Sequence, residues 1–281
     1  IHTALVQGNA VRDYVKWDDQ PASVESIIDS MLRAYQLITT DPKGPVYLCF
    51  DAGLQEAKLA SPPTLPDVSL FERPARPSAD PDALAQAAGM LSTAKRPVAV
   101  VDYLGDDVAI AGVVRLAEAL GMAVIDLGDL LNFPTDHPLN LTSGAMEVLS
   151  EADVVLSVNA FDIEQALSTT GGGSRLPIRG IPDEAKVIDI SLREFAVRSW
   201  GQIHGKMFPL HVNIQADPAS AVIALADLVA GAGTSAGAAE RSARLGERHA
   251  ELLRDAREGA LASVKDGKIT RQYLGLALYE A

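Results

Sequence analysis

The chain has 281 residues, 48% of them hydrophobic and 22% charged, with a formal net charge of -13; that length can bury a sizeable core and sets an expectation of one to two domains. The acidic balance, with basic residues scattered among the acids, opposes a phosphate backbone and excludes nucleic acid as a partner. No apolar run approaches the roughly 20 residues of a membrane span, and the start Ile1-His2-Thr3-Ala4 lacks the basic-then-apolar layout of a signal peptide, so a cytoplasmic protein with no membrane partner is expected.

The spacing of Ile28, Met31, Leu32, Tyr35 and Ile38 predicts an amphipathic helix over Ser23 to Thr39, with Ser23 as its cap and Glu25 at its positive end. The turn Asp41-Pro42-Lys43-Gly44-Pro45 stops it, and a buried strand, Val46 to Phe50, follows. Cys49, the single cysteine, reads as a small buried hydrophobe of that strand. Prolines at 62, 63, 66, 74 and 77 then describe an extended connection over residues 58–79. The part before it, residues 1–57, has one strong helix and one strong strand, too little to close a core alone.

After the connection the pattern alternates. A helix opens at Asp80-Pro81 and carries Leu84, Ala87, Ala88 and Leu91 inward. Strands are predicted at Val98–Asp102, Ala123–Ile125, Val154–Val158, Val187–Ile190 and Leu210–Ile214, with helices at Asp107–Leu120, near Met146 and at Asp217–Val229 between some of them. Gly121 stands where the second helix needs a left-handed residue. Short β-branched runs separated by helices mean a parallel α/β sheet in three layers, placed over residues 80–232. A small-residue stretch after Ala230 leads into a long charged helix from Ala238 to Val264, and Ile269 to Ala281 begins another helical unit; residues 233–281 thus read as a connector.

The chemistry-bearing patterns are sparse. His2, His137, His204, His211 and His249 are not spaced as metal ligands, and structural or surface roles are expected; no metal site is predicted. The sequence has no G-x-S-x-G elbow, phosphate loop or CxxC pair. Gly171-Gly172-Gly173 lies too far beyond Val158 to cradle a pyrophosphate, and Asp102-Tyr103-Leu104-Gly105-Asp106 offers one glycine and acids where a dinucleotide site needs a G-x-G turn. The arginines of the long helix interleave with glutamates and aspartates, which describes a solvated face.

Taken in order, these parts resemble thiamine-diphosphate-dependent enzymes of the acetolactate synthase and benzoylformate decarboxylase kind. The start is similar to the end of their pyrimidine-binding domain, with Gln7, Arg12, Lys16, the helix after Ser23 and the strand Gly44-Pro45-Val46-Tyr47-Leu48 as counterparts. Ala94-Lys95-Arg96-Pro97-Val98, Ala152 to Leu156 and Lys186 to Ile190 resemble the central domain, and Lys268 to Leu274 the lead-in to the diphosphate-binding domain. The resemblance implies a Rossmann-like central sheet of about six strands, thiamine diphosphate and magnesium in a full-length parent acting on 2-keto acids by carboligation or decarboxylation, and a homo-oligomer, dimer or tetramer.

On the same resemblance, the glutamate that activates the aminopyrimidine precedes Ile1 and the G-D-G and asparagine motif follows Ala281, so neither cofactor is expected on this segment, which would be structural and inactive alone. Catalytic residues stay unassigned. Gln7 is the one cofactor-site candidate, because its loop corresponds to family positions near the substrate entrance. Flavin is not expected: Val158-Asn159-Ala160-Phe161-Asp162 lacks the arginine, and Asp189-Ile190-Ser191 the second acid, of family members that bind it. The alternative is a free-standing Rossmann-like module that takes a nucleotide or acyl group.

Overall fold

A computed structural model describes residues 6–128, 130–169, 177–193, 207–233, 235–265 and 267–281. It divides into two compact units, the first reaching Pro77 and the second beginning at Ser78.

The first unit is built on one strand–helix–strand element. After the short helix α1 (Gly8–Val11), β1 (Trp17–Asp19) pairs in parallel with β2 (Val46–Leu48), Trp17 opposite Val46 and Asp19 opposite Leu48. The helix α2 (Val24–Thr39) connects them, and its start is fixed by reciprocal capping between Ser23 and Ser26. Its far end is held by Lys16, whose Nζ donates to the carbonyls of Leu37 at 2.8 Å and Thr40 at 2.7 Å. A further short helix, α3 (Ala52–Glu56), follows Asp51, which caps it. The apolar stripe of α2 is not covered: Met31, Tyr35 and Ile38 are exposed, and the helix buries Ser30 and Ala34 instead. A sheet of two three-residue strands is too narrow to shield that stripe.

The second unit holds the main core. In chain order it runs α4 (Pro81–Thr93), β3 (Pro97–Val101), α5 (Asp107–Leu120), β4 (Ala123–Asp126), α6 (Ala145–Ser150), β5 (Val154–Val158) and α7 (Ile163–Ala166). There follow a two-residue hairpin, β6 (Ser168–Thr169) with β7 (Ile178–Arg179), then β8 (Lys186–Ser191), β9 (Val212–Gln215), α8 (Pro218–Gly231), α9 (Ala238–Ala262) and α10 (Arg271–Glu280). Among the described residues the sheet has five strands, all parallel, in the order β4-β3-β5-β8-β9. They come from the five apolar runs of the sequence; the family resemblance suggested about six.

Both faces of this sheet are buried. Ala99 and Val101 of β3 join Leu156, Ile188 and Ile190 against α4, α5 and α8, whereas Val98 and Val100 join Val155 and Val187 on the other face, where Leu149 of α6 and Ile163 of α7 pack. Alternate residues thus serve opposite layers, which is why the strands read as continuous apolar runs. Each fully buried Val or Ile contributes roughly 1.5–3 kcal/mol. Two polar side chains interrupt this interior: Ser157 and Asp189 face each other in register across β5 and β8, and the Asp189 carboxylate accepts from the hydroxyls of Ser157 and Ser191, each at 2.7 Å.

Helix ends follow their local chemistry. Asp80, Asp106, Asp162 and Asp217 cap α4, α5, α7 and α8, each accepting a backbone N–H of the first turn. Gly121 closes α5 in the left-handed conformation, φ 57°, and turns the chain directly into β4.

Candidate functional site

The strand order sets where a ligand crevice would open. From β3 the chain goes first to β4 on one side and then to β5 on the other, so the topological switch point lies between β3 and β5, at their carboxyl ends. Two non-glycine residues with positive φ stand there, one after each strand: Tyr103 at 45° and Asn159 at 55°. They are joined to each other, because Asn159 Nδ2 donates to the Tyr103 carbonyl at 3.0 Å, and Asn159 N–H reaches Ile190 O at 2.8 Å. Strained backbone held by such bonds marks a place the fold over-determines.

Carboxylates organise the surrounding loops. Asp102, buried after β3, accepts from the Tyr103 N–H at 2.9 Å. Asp106 accepts from Val108 N–H at 2.9 Å at the start of α5, and Asp162 from Gln165 N–H at 2.9 Å at the start of α7. One amide at each helix start, that of Val108 and that of Gln165, is therefore engaged by the chain's own acid where a phosphate would need free amides. The loop after β4 is tied by Asp126, which accepts from Gly128 N–H, Asn132 N–H, Asn132 Nδ2 and Phe133 N–H at 2.8–3.1 Å; Asn132 Oδ1 in turn accepts from Leu104 N–H at 2.9 Å. Sequence reasoning missed this network. Its signal was an aspartate at a strand end with a glycine two residues on, the pattern of a side-chain turn.

Gln7, the sequence candidate, lies in the first unit as the residue before α1. Its amide oxygen accepts from the Tyr47 hydroxyl at 3.1 Å and the Cys49 thiol at 3.2 Å, which fastens the α1 loop to β2. Cys49 is thus half-buried and a hydrogen-bond donor, not the buried hydrophobe expected, because β2 ends at Leu48 and leaves it at the strand's margin. Arg12 makes a bidentate pair with Asp18 on β1, at 2.8 and 2.7 Å. The hydrogen bond from Arg12 holds the Asp18 carboxyl below its ordinary value, against a small opposing effect of burial. Because the folded value lies under the unfolded one, the pair stabilises above the unfolded value near 3.8 and is lost as pH falls through the folded one. A carbon-detected NMR titration should show the Asp18 midpoint shifted down, and Arg12→Gln should move it back up.

The remaining candidates take structural positions. His137 Nδ1 accepts from Leu139 N–H at 3.1 Å, His211 Nδ1 accepts from Val187 N–H at 3.1 Å, and His249 Nδ1 meets the Asn140 carbonyl at 2.7 Å and so donates to it. His2, His204 and Gly171-Gly172-Gly173 lie outside the described residues. Among the described residues there is no group of three or more His, Cys, Asp or Glu side chains that could hold a metal ion. No helix among them is long and apolar enough to cross a membrane.

A parallel sheet wound on both faces, preceded by a narrow strand–helix–strand unit, is the fold of segments of thiamine-diphosphate-dependent enzymes, and the chain resembles such a segment. In sequence it is 28% identical over 221 residues to the acetolactate synthase isozyme 1 large subunit of Escherichia coli, covering 73% of this chain and 35% of that protein. An acetolactate synthase large subunit of Mycobacterium tuberculosis is 40% identical over 95 residues, 32% of this chain and 17% of the relative. The chain thus spans about a third or less of the curated relatives it matches. No protein-family model matches it. Among solved structures, a Mycobacterium smegmatis protein described as a thiamin diphosphate-dependent enzyme superposes with a TM-score of 0.57 at 26% identity, over 76% of this chain and 40% of that one. The thiamine diphosphate-dependent 4-hydroxybenzoylformate decarboxylase of Rhodococcus jostii shares the fold with a TM-score of 0.61 at 22% identity, over 84% and 43% of the two chains.

Proposed function

We propose that the chain is the central-domain part of a thiamine-diphosphate-dependent enzyme acting on 2-keto acids by carboligation or decarboxylation, and that its work is to position the two flanking domains that carry the chemistry. The observation that carries this reading is the 221-residue match to an acetolactate synthase subunit, which covers 73% of this chain but 35% of the relative. The exposed stripe Met31, Tyr35 and Ile38 on α2 supports it, since a helix with that pattern belongs against more sheet than two short strands provide.

On this reading residues 1–57 are the end of a pyrimidine-binding domain, 58–79 a linker, 80–232 the central domain, and 233–281 a connector and the start of the diphosphate-binding domain. Thiamine diphosphate and magnesium are held by other parts of the parent, a cytoplasmic homo-oligomer. Gln7 belongs to a loop near the parent's substrate entrance, and its bonds to Tyr47 and Cys49 would fix that loop's position. The crevice between β3 and β5 is a nucleotide site without a nucleotide, a reading supported by the acids that already occupy the starts of α5 and α7.

Turnover of pyruvate and benzoylformate is the test, with thiamine diphosphate and magnesium present. The 281-residue chain should consume neither, whereas the same chain extended at both ends by its genomic flanks should consume a 2-keto acid. Turnover by the unextended chain refutes the structural role. Tight ADP binding or flavin absorbance refutes the vacant crevice and favours the nucleotide-binding alternative.

A further inference from the structure

At the amino ends of β3 and β4, the end of the sheet away from the switch point, Arg241, Arg244 and Leu245 of α9 line a cleft with Pro97, Val98 and Ala123. Arg241, in the first turns of that helix, donates from Nε and Nη2 to the Leu120 carbonyl at the end of α5, from Nη1 to Ala236 O at 2.8 Å and from Nη2 to the Ser235 hydroxyl at 3.1 Å. Every one of these acceptors is uncharged. The cation is therefore fixed in place by neutral acceptors, contrary to the solvated face expected for this helix. Its guanidinium is held below its ordinary value, first by burial, with the charge of Asp153 opposing and that of Arg244 adding to the effect.

Arg244, three residues on and exposed, lines the same cleft, as does Arg96, which lies 3.7 Å from Glu151 with both side chains largely in solvent. Three arginines and one glutamate thus line the cleft, with Asp153 near enough for its charge to act on Arg241, in a chain whose net charge is -13. The floor between them is apolar, formed in part by Val98 and Leu245. The cleft has about 40 Å³ of room. A single water needs roughly 10–15 Å³ on that measure, so the space suits one small oxyanion and is too small for a nucleotide.

We propose that this cleft binds a small oxyanion, a phosphate or a short-chain carboxylate, between Arg96, Arg241 and Arg244. Arg241 supplies a charge that needs no reorganisation, because its geometry is set by the end of α5. Arg244 and Arg96 close on the ligand from solvent and supply forked donors that match two oxygens of either group. The site is independent of the reading given under Proposed function: it uses neither the switch-point crevice nor any residue assigned to the parent's chemistry.

The test is calorimetric titration of the full chain with sodium phosphate and, separately, sodium acetate, at ionic strength held constant with sodium chloride. One saturable equivalent is expected from at least one of the two. Saturation by phosphate alone assigns a phosphate; saturation by acetate alone, or by both, assigns a carboxylate-accepting site. Arg244→Gln and Arg96→Gln, both at exposed positions where folding is retained, should each weaken binding roughly tenfold. Arg254→Gln, on the same helix but outside the cleft, should leave it unchanged. Absence of saturable binding of both anions, or equal affinity in Arg244→Gln and the unaltered chain, overturns the proposal.

Discussion

Replacing Gly121 by valine is expected to cost about 4 kcal/mol, close to the upper end for a single substitution, and to leave the second unit largely unfolded at moderate urea. Two effects combine. At φ 57° and ψ 48° an L side chain costs roughly 1–2 kcal/mol, more when it is β-branched. A Cβ on Gly121 would also overlap the carbonyl oxygen of Ala238 and lie 3.0 Å from its carbonyl carbon and Cα, the backbone at the start of α9. That backbone cannot retreat freely, because Arg241 ties the same turn to Leu120 and Ala236, and forced overpacking costs a further ~1–3 kcal/mol. Gly121→Ala should lose about 3 kcal/mol by the same reasoning. Urea unfolding curves decide it; a loss below about 1 kcal/mol for the valine variant would mean that α9 is not seated there.

Removing the Asp126 carboxylate should be nearly as damaging. Asp126→Ala strands four donors at once, two of them on Asn132, whose side chain is fully buried. Each buried donor left without a partner costs about 1–3 kcal/mol, and some will recover water, so a total near 3 kcal/mol is expected. Asp126→Asn keeps acceptor capacity and should lose about half as much. The effect should reach the switch-point crevice, because the Asn132 oxygen freed from its anchor is the acceptor for Leu104 N–H. Hydrogen exchange at Leu104 should therefore accelerate in Asp126→Ala, whereas a purely local role would leave it protected.

How much could be read from the residues depended on how far away each partner lies. The limits of α5 were legible, because Asp106 and Gly121 act within a turn of their own positions. So were the five strands of the main sheet: β3, β5 and most of β8 are apolar runs buried on both faces, and β9 alternates buried and exposed residues. β1 was not read: Trp17-Asp18-Asp19 carries two residues that disfavour strands, and it is extended only because β2 pairs with it from across α2. The charged alternation of α9 gave its solvated face but hid Arg241, whose partners are a helix end 121 residues earlier in sequence. At the candidate site, the single glycine and the acids after β3 were visible. The left-handed pair Tyr103 and Asn159 was not, since neither residue type signals that conformation when its bonding partner is remote. Long-range geometry, not composition, created those features.

The meeting of Ser157 with Asp189 inside the sheet has a bearing on how β5 finds β8. Val154, Leu156 and Val158 of β5 and Ile188 and Ile190 of β8 stand at alternate positions, so sliding one strand past the other by two residues would keep these side chains on the same face and cost little in burial. Such a slide would part the Asp189 carboxylate from the Ser157 hydroxyl, set it opposite Val155 and lose a charge-assisted hydrogen bond, about 1.5–3 kcal/mol. One polar contact thus discriminates among near-degenerate alignments that greasy surfaces cannot tell apart.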